Sequence, residues 1–186
     1  TQTVEAIQEV TGLPLQLDTS NPAAMEAALR RYNGKPLVNS VNGKEESLET
    51  ILPLVKKYGG GLVCLTLDDE GIPADAQGRL AIAEKIVRRA EAMGIPRREL
   101  LVDGLTMPVS AGGDNAKVTL ETLRRAKEEL GVKTALGVSN VSFGLPKREQ
   151  LNQSFFTMAL EQGLDGAIIN PKSEAMMGAY RAYRAL

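Results

Sequence analysis

Five polar side chains stand out because each follows a short apolar run. Asp18 follows Leu13–Leu17, Asn39 follows Leu37-Val38, Asp103 follows Leu100–Val102, Asn140 ends the run that opens at Thr134, and Asn170 follows Ala167–Ile169. A sixth run, Leu62–Leu67, stops at Asp68. Short apolar runs bounded by turn signals read as buried strands, so each polar residue is delivered to the open end of a strand. The five make a set of two carboxylates and three amides, with no Lys or His at those ends. Such a set suits a neutral, planar ligand rich in donors and acceptors: a carboxylate accepts two N–H bonds from an amino-pyrimidinone edge, and an amide both donates and accepts. It is a poor set for phosphate, which wants Arg, Lys or a helix N-terminus. For any one of the five, a strand-end cap or Asx turn is the simpler explanation. For all of them together it is a weak one.

Bulk properties narrow the class. The 186 residues are enough for one sizeable core and too few for two ordinary domains. With 22 basic and 23 acidic residues the formal net charge is −1, so no basic field gathers nucleic acid or an anionic membrane. No apolar run reaches the length of a membrane span. The single Cys64 sits in an apolar run and reads as a buried, inert thiol, which fits a cytoplasmic protein. Histidine is absent, which removes Ser-His-Asp and Cys-His nucleophile systems and argues against zinc. Asp68-Asp69-Glu70 could hold magnesium, but Gly71-Ile72-Pro73 behind them makes a solvated turn the better reading, and no metal is expected.

The elements that position these residues follow from spacing. Thr3–Val10 is helical in period and closes at Gly12. Asn21-Pro22 is a helix start, and Met25, Ala28, Leu29 and Tyr32 form its apolar face. A second helix, from about Lys44, carries Leu48, Ile51, Leu52, Val55 and Tyr58, with a kink expected at Pro53. Gly59-Gly60-Gly61 follows a helix and precedes a strand, which makes it a turn rather than a phosphate cradle. Ile82, Ala83, Ile86, Val87 and Ala90 trace a third helix, and Leu120, Leu123 and Leu130 a fourth. After a polar loop at Pro146–Glu149, Phe155, Phe156, Ala159 and Leu160 mark another; Met176, Met177, Tyr180 and Tyr183 line the last.

Strand–helix alternation without a hairpin signal predicts a parallel α/β protein. The strand ends fall roughly 30 residues apart, the repeat of a (β/α)8 TIM barrel of about 250 residues. Six units do not close that barrel. The expectation is one barrel domain over residues 1–186 that lacks its first two strands, and the abrupt start without Met suggests that more chain precedes residue 1. A doubly wound sheet is disfavoured, because no Gly-rich dinucleotide fingerprint follows the first strand.

LQLDTSN at 16–22, PLVNS at 36–40, LLVDGL at 100–105 and LGVSNVSFGLP at 136–146 resemble the pterin-binding barrel of methyltetrahydrofolate methyltransferases. Both the folate module of cobalamin-dependent methionine synthase and the stand-alone methyltransferase that loads a corrinoid protein belong there. The resemblance implies a methyltransferase that binds 5-methyltetrahydrofolate as methyl donor and passes the methyl to cobalamin carried by a partner corrinoid protein or domain. It implies that Asp18, Asn39 and Asp103 hold the pterin ring. Asn140 would be catalytic, bonding N5; Arg148 would lie on the pterin and corrinoid side, and Asn170 would be a further contact. A homodimer is implied by stand-alone relatives. Gly104 stands where many relatives have Pro. Dihydropteroate synthase shares the barrel, but its Asp-Pro-Gly-x-Gly-Phe loop is replaced here by DGLTMPVSAG, and its terminal Arg-x-His has no counterpart. A non-catalytic folate-binding remnant is the other alternative.

Overall fold

A computed structural model describes residues 2–186. In chain order the elements are α1 (Gln2–Val10), β1 (Gln16–Asp18), α2 (Pro22–Arg31), β2 (Leu37–Asn42), α3 (Glu45–Tyr58), β3 (Gly61–Leu65) and α4 (Ala76–Ala92). There follow β4 (Leu100–Asp103), α5 (Asn115–Arg125), β5 (Lys133–Gly137), α6 (Arg148–Glu161), β6 (Gly166–Ile168) and α7 (Glu174–Ala185). The six strands are all parallel and pair in sequence order, β1-β2-β3-β4-β5-β6. They curl into a half-barrel, as the alternation predicts.

The register assigns the two faces. Leu17, Val38, Leu62 and Leu100 are successive partners, and so are Cys64, Val102 and Thr134. All seven are buried, and the apolar ones among them pack against Leu48 and Leu52 of α3 and Ala83 and Ile86 of α4. This is the helix-covered face. Leu123, Leu136, Phe155, Phe156, Ala159 and Met176 form a second cluster under α5, α6 and α7. The opposite, concave face carries the alternate residues: Asp18 beside Asn39, and Leu65 beside Asp103 beside Ala135. Small residues line it where strands crowd; a Cβ on Gly61 would stand 3.0 Å from Leu37 Cδ1.

Helix starts follow local chemistry. Asn21 Oδ1 accepts from Ala24 N at 3.1 Å ahead of Pro22, and Gly59 ends α3 with φ of 72°. Several boundaries differ from the sequence expectation. β1 is Gln16–Asp18 rather than Leu13–Leu17, and Leu13 is 72% exposed: the apolar run begins before a partner strand is in reach. β2 runs past Asn39 to Asn42, because β3 extends far enough to pair Val41 and Asn42 with Cys64 and Leu65. α3 continues through Pro53, and α5 passes into a π turn at Ala126–Leu130 closed by left-handed Gly131. Arg148, placed in a loop by its polar neighbours, is the first residue of α6.

Leu52 is fully buried between α3 and the sheet. Leu52→Ala should lower stability by about 2–5 kcal/mol through lost transfer energy plus the cavity, read as a reduced urea midpoint with unchanged m-value.

Candidate active site

Asp18 and Asp103 are the last residues of β1 and β4, where the sequence pattern puts them. The other three are offset. Asn39 lies inside β2, just before a register shift that ends at Val41. β5 stops at Gly137, and Asn140 sits in the 3-10 turn Val138–Ser142 that follows. Asn170 lies two residues beyond β6. Asp68, likewise, is past the end of β3; its carboxylate accepts from Glu70 N at 3.0 Å and its backbone bridges Gly71, so the three acids belong to a turn.

The loops at the strand ends are tied to one another in series. Asn39 Nδ2 donates to Asp18 Oδ2 at 3.3 Å, and Thr19 N to Asn39 O at 3.3 Å. Gly43 N donates to Leu67 O, joining the segments after β2 and β3. Thr66 Oγ1 donates to the carbonyl of Asp103 at 3.0 Å, joining β3 to β4. Val109 N donates to Val141 O at 3.0 Å and Ser110 Oγ to Phe143 O at 2.7 Å, joining the loop behind Asp103 to the turn that carries Asn140. One continuous rim therefore runs from Asp18 to Asn140.

Asn140 is exposed, and its amide folds back over the end of β5: a Cβ on Gly137 would meet Nδ2 at 3.2 Å. Arg148 fastens this turn. Its Nη2 donates to Ser139 O at 2.9 Å and its Nε to Ser142 Oγ at 3.0 Å, while its guanidinium lies 4.7 Å from the Phe143 ring centroid. Ser142 Oγ donates onward to Asn152 Oδ1 at 2.7 Å. Arg148 and Asn170 line a cavity of about 360 Å³ with Ser139 and Asn152, separate from the cavity of about 380 Å³ that Asp18 and Asn39 line with Ser20, Lys44 and Ser47. Asn170 Oδ1 already accepts from Lys172 N at 3.0 Å in an Asx turn.

Asp103 is the unusual acid. It is 9% exposed, and burial pushes its pKa up from 3.8 to about 6, against the opposing pull of the Leu105 N–H and the Arg79 charge. Its Oδ1 accepts from Leu105 N at 2.8 Å; among the described residues no donor reaches Oδ2. Three residues beyond it, Thr106 is buried with a hydroxyl that has no partner. Two features escaped the sequence reading: Thr106, and Arg79, which is 2% exposed on α4. Arg79 did carry a signal, since it stands three, four and seven residues before Ile82, Ala83 and Ile86, on their apolar stripe. Cys64 is buried with its thiol pushed up to about 12, an inert core residue. Among the described residues no helix is long and apolar enough to cross a membrane.

The profile of the pterin binding enzyme family matches residues 1–170. The chain belongs to that family. It is 30% identical over 188 aligned residues to a methylcorrinoid:tetrahydrofolate methyltransferase of Eubacterium limosum, covering 98% of this chain and 69% of that protein. It is 34% identical to the methionine synthase of Mycobacterium tuberculosis over 85% of this chain, but only 14% of that protein. Among solved structures, dihydropteroate synthase of Xanthomonas albilineans with 4-aminobenzoic acid superposes with a TM-score of 0.77 at 23% identity, over 98% of this chain and 70% of that one. The synthase of Yersinia pestis gives 0.76 at 18% identity, over 99% and 76%. At those identities the likeness is one of fold.

The raised pKa of Asp103 has a signed consequence for stability. The folded state holds this proton up to about pH 6, whereas the unfolded chain releases it near pH 3.8. Between those values the folded state binds more protons, so stability falls as pH rises and the full penalty, about 3 kcal/mol, is present above pH 6. Asp103→Asn, which keeps an acceptor for Leu105 N, should flatten this slope between pH 4 and 6 and raise the unfolding midpoint at pH 7.5, as measured by urea titration at several pH values.

Proposed function

We propose that this chain binds a tetrahydrofolate through its pterin ring and takes part in methyl transfer between N5 of that ring and a corrinoid carried by a partner protein or by another part of a longer polypeptide. The observation that carries the reading is the buried Asp103 carboxylate, with Oδ2 left free, at the end of β4 on the concave face it shares with Asp18 and Asn39 and ahead of a loop bonded to the Asn140 turn. That donor and acceptor set fits a reduced pterin. Asp103 accepts from the ring N–H edge, and the Asp18–Asn39 pair supplies a further acceptor and an amide. The name of the Eubacterium limosum relative, a methylcorrinoid:tetrahydrofolate methyltransferase, supports the choice of a tetrahydrofolate and a corrinoid as the reactants.

The chain's own part in the reaction is positioning and electrostatics. The methyl group sits on a tertiary amine, a poor leaving group unless N5 carries positive charge. Asn140 has no titratable proton, but its amide orients and shares a hydrogen bond at N5 as that charge develops, and Asp103 and Asp18 stabilise the more positive ring. A placed donor of this kind is worth about 2.7–4 kcal/mol of barrier. When bound, the corrinoid supplies the reduced cobalt that exchanges the methyl group; with no histidine, this chain offers it no imidazole ligand. The methyl-acceptor side belongs to the partner. Arg148, 4.7 Å from the Phe143 ring beside the Asn140 turn, acts by holding that turn.

Asn140→Ala should slow methyl transfer, assayed in both directions with reduced corrinoid protein, by about a hundredfold or more, while methyltetrahydrofolate affinity by calorimetry changes much less. Equal losses in both would remove the transition-state role. Folate binding by the wild-type chain without any transfer would mark a binding remnant. Condensation of para-aminobenzoate would point to the synthase reaction instead.

A further inference from the structure

Among the described residues, Arg79 and Asp103 are the charged side chains that the fold buries. Arg79 belongs to α4, yet it reaches into the loop that leaves β4. Its Nη1 donates to Gly104 O at 2.7 Å and to Leu105 O at 2.9 Å, and it lies 3.3 Å from Thr119 Oγ1 on α5; its Nε donates to Pro73 O at 3.0 Å. Thr119 Oγ1 also lies 3.1 Å from Leu105 O. Leu105 itself has φ of 55°, a left-handed conformation that a leucine adopts only when its surroundings impose it. The guanidinium thus grips the carbonyls on both sides of a strained residue.

The peptide unit between Gly104 and Leu105 makes the connection to the site. Its oxygen accepts from Arg79, and its N–H donates to Asp103 Oδ1 at 2.8 Å. A hydrogen bond at one end of an amide polarises the other end. A cation on the oxygen therefore strengthens the N–H bond to the carboxylate and fixes the plane in which the carboxylate lies.

We propose that Arg79 is a positioning residue for Asp103: through the 104–105 peptide it locks Asp103 with Oδ1 engaged and Oδ2 presented to the ring N–H groups of the pterin. This rests on the reading of Asp103 as a pterin-holding carboxylate. The charged neighbours are few. Arg79 on α4 is the charge that lowers the Asp103 pKa, and Asp75, which caps α4, acts in turn on Arg79; Thr66 after β3 and Thr119 on α5 are neutral. Lysine keeps the charge but not the planar fork, in which Nε holds Pro73 O and so fixes Nη1 on the Gly104 and Leu105 carbonyls. Loosening that peptide weakens the N–H bond to Asp103 and disfavours its charged form.

The test uses the full chain and two readouts. In the ligand-free protein, carboxyl-carbon NMR of labelled Asp follows the titration of Asp103, expected near pH 6 in the wild type. Arg79→Lys should move that midpoint to higher pH, and Arg79→Met further. In calorimetry at pH 7.5, Arg79→Lys should weaken methyltetrahydrofolate binding by about tenfold or more, the scale of a lost charge-assisted hydrogen bond. Circular dichroism selects the folded variants; if Arg79→Met does not fold, Arg79→Lys decides alone. A folded Arg79→Lys with wild-type midpoint and affinity overturns the proposal, because a residue that only braces the fold would lower melting temperature without touching the titration. A raised midpoint with unchanged affinity overturns its substrate half, and Asp103→Asn binding as tightly as wild type would then show that the pterin reading of Asp103 had failed rather than the Arg79 coupling.

Discussion

The handedness of the strand–helix–strand crossover governs this molecule. Parallel neighbours joined through a helix take a right-handed path almost without exception. Here the strand order never reverses, so every crossover places its helix on the same side of the sheet. One face becomes the apolar layer of Leu17, Val38, Leu62, Leu100 and Leu136, and the other carries Asp18, Asn39 and Asp103 beside apolar residues such as Val63 and Leu65. The same rule brings the loop after every strand to one edge. A chain that places an acid or amide near each strand end thereby gathers them along one rim, whereas in a doubly wound sheet the site gathers at the switch point where the strand order reverses.

Bringing the loops to one edge does not by itself hold them in register with one another. The rim does that through hydrogen bonds between successive loops: Asn39 to Asp18, Gly43 to Leu67, Thr66 to Asp103, Val109 to Val141. Each contributes only about 0.5–1.5 kcal/mol net. Their value lies in geometry, because chemistry that depends on placed groups is sensitive to displacements of an ångström. Polar residues near strand ends serve two purposes here. Asn170 spends its carbonyl oxygen on an Asx turn, whereas Asp103 keeps an oxygen in reserve.

Much of this was legible in the sequence. The six apolar runs, the absence of hairpin signals and the roughly 30-residue repeat identified a parallel barrel-type sheet. Asp18 and Asp103 close their strands as the pattern implies. Asn39 and Asn140 do not, for opposite reasons. Hydropathy marks where burial changes, but a strand ends where its neighbour stops offering partners. β3 offers partners beyond Asn39, while β6 ends opposite Gly137, well before Asn140. In the second case the run Val138–Ser142 looks strand-like because Val138 and Val141 are buried, yet burial here is that of a 3-10 turn packed on α6. Arg79 was hidden by its charge: its spacing belongs to the buried stripe of α4, and only the carbonyls of the β4 loop, remote in sequence, explain why an arginine can sit there.

The two acids on the concave face then differ in what a ligand can gain from them. Asp18 is exposed and faces water and Asn39, so a ligand N–H that replaces a water there changes little in free energy. Asp103 is buried, and its charge is costly in the ligand-free protein, as its pKa of about 6 records. A donor brought to Oδ2 relieves that cost, in surroundings where a hydrogen bond is electrostatically stronger than in water. On the proposed pterin reading, Asp18 with Asn39 would therefore orient the ring, and Asp103 would contribute more of its affinity. The strain at Leu105 and the burial of Arg79 fall on the second acid's loop and not on the first, which is where the fold has most to gain from holding a carboxylate still.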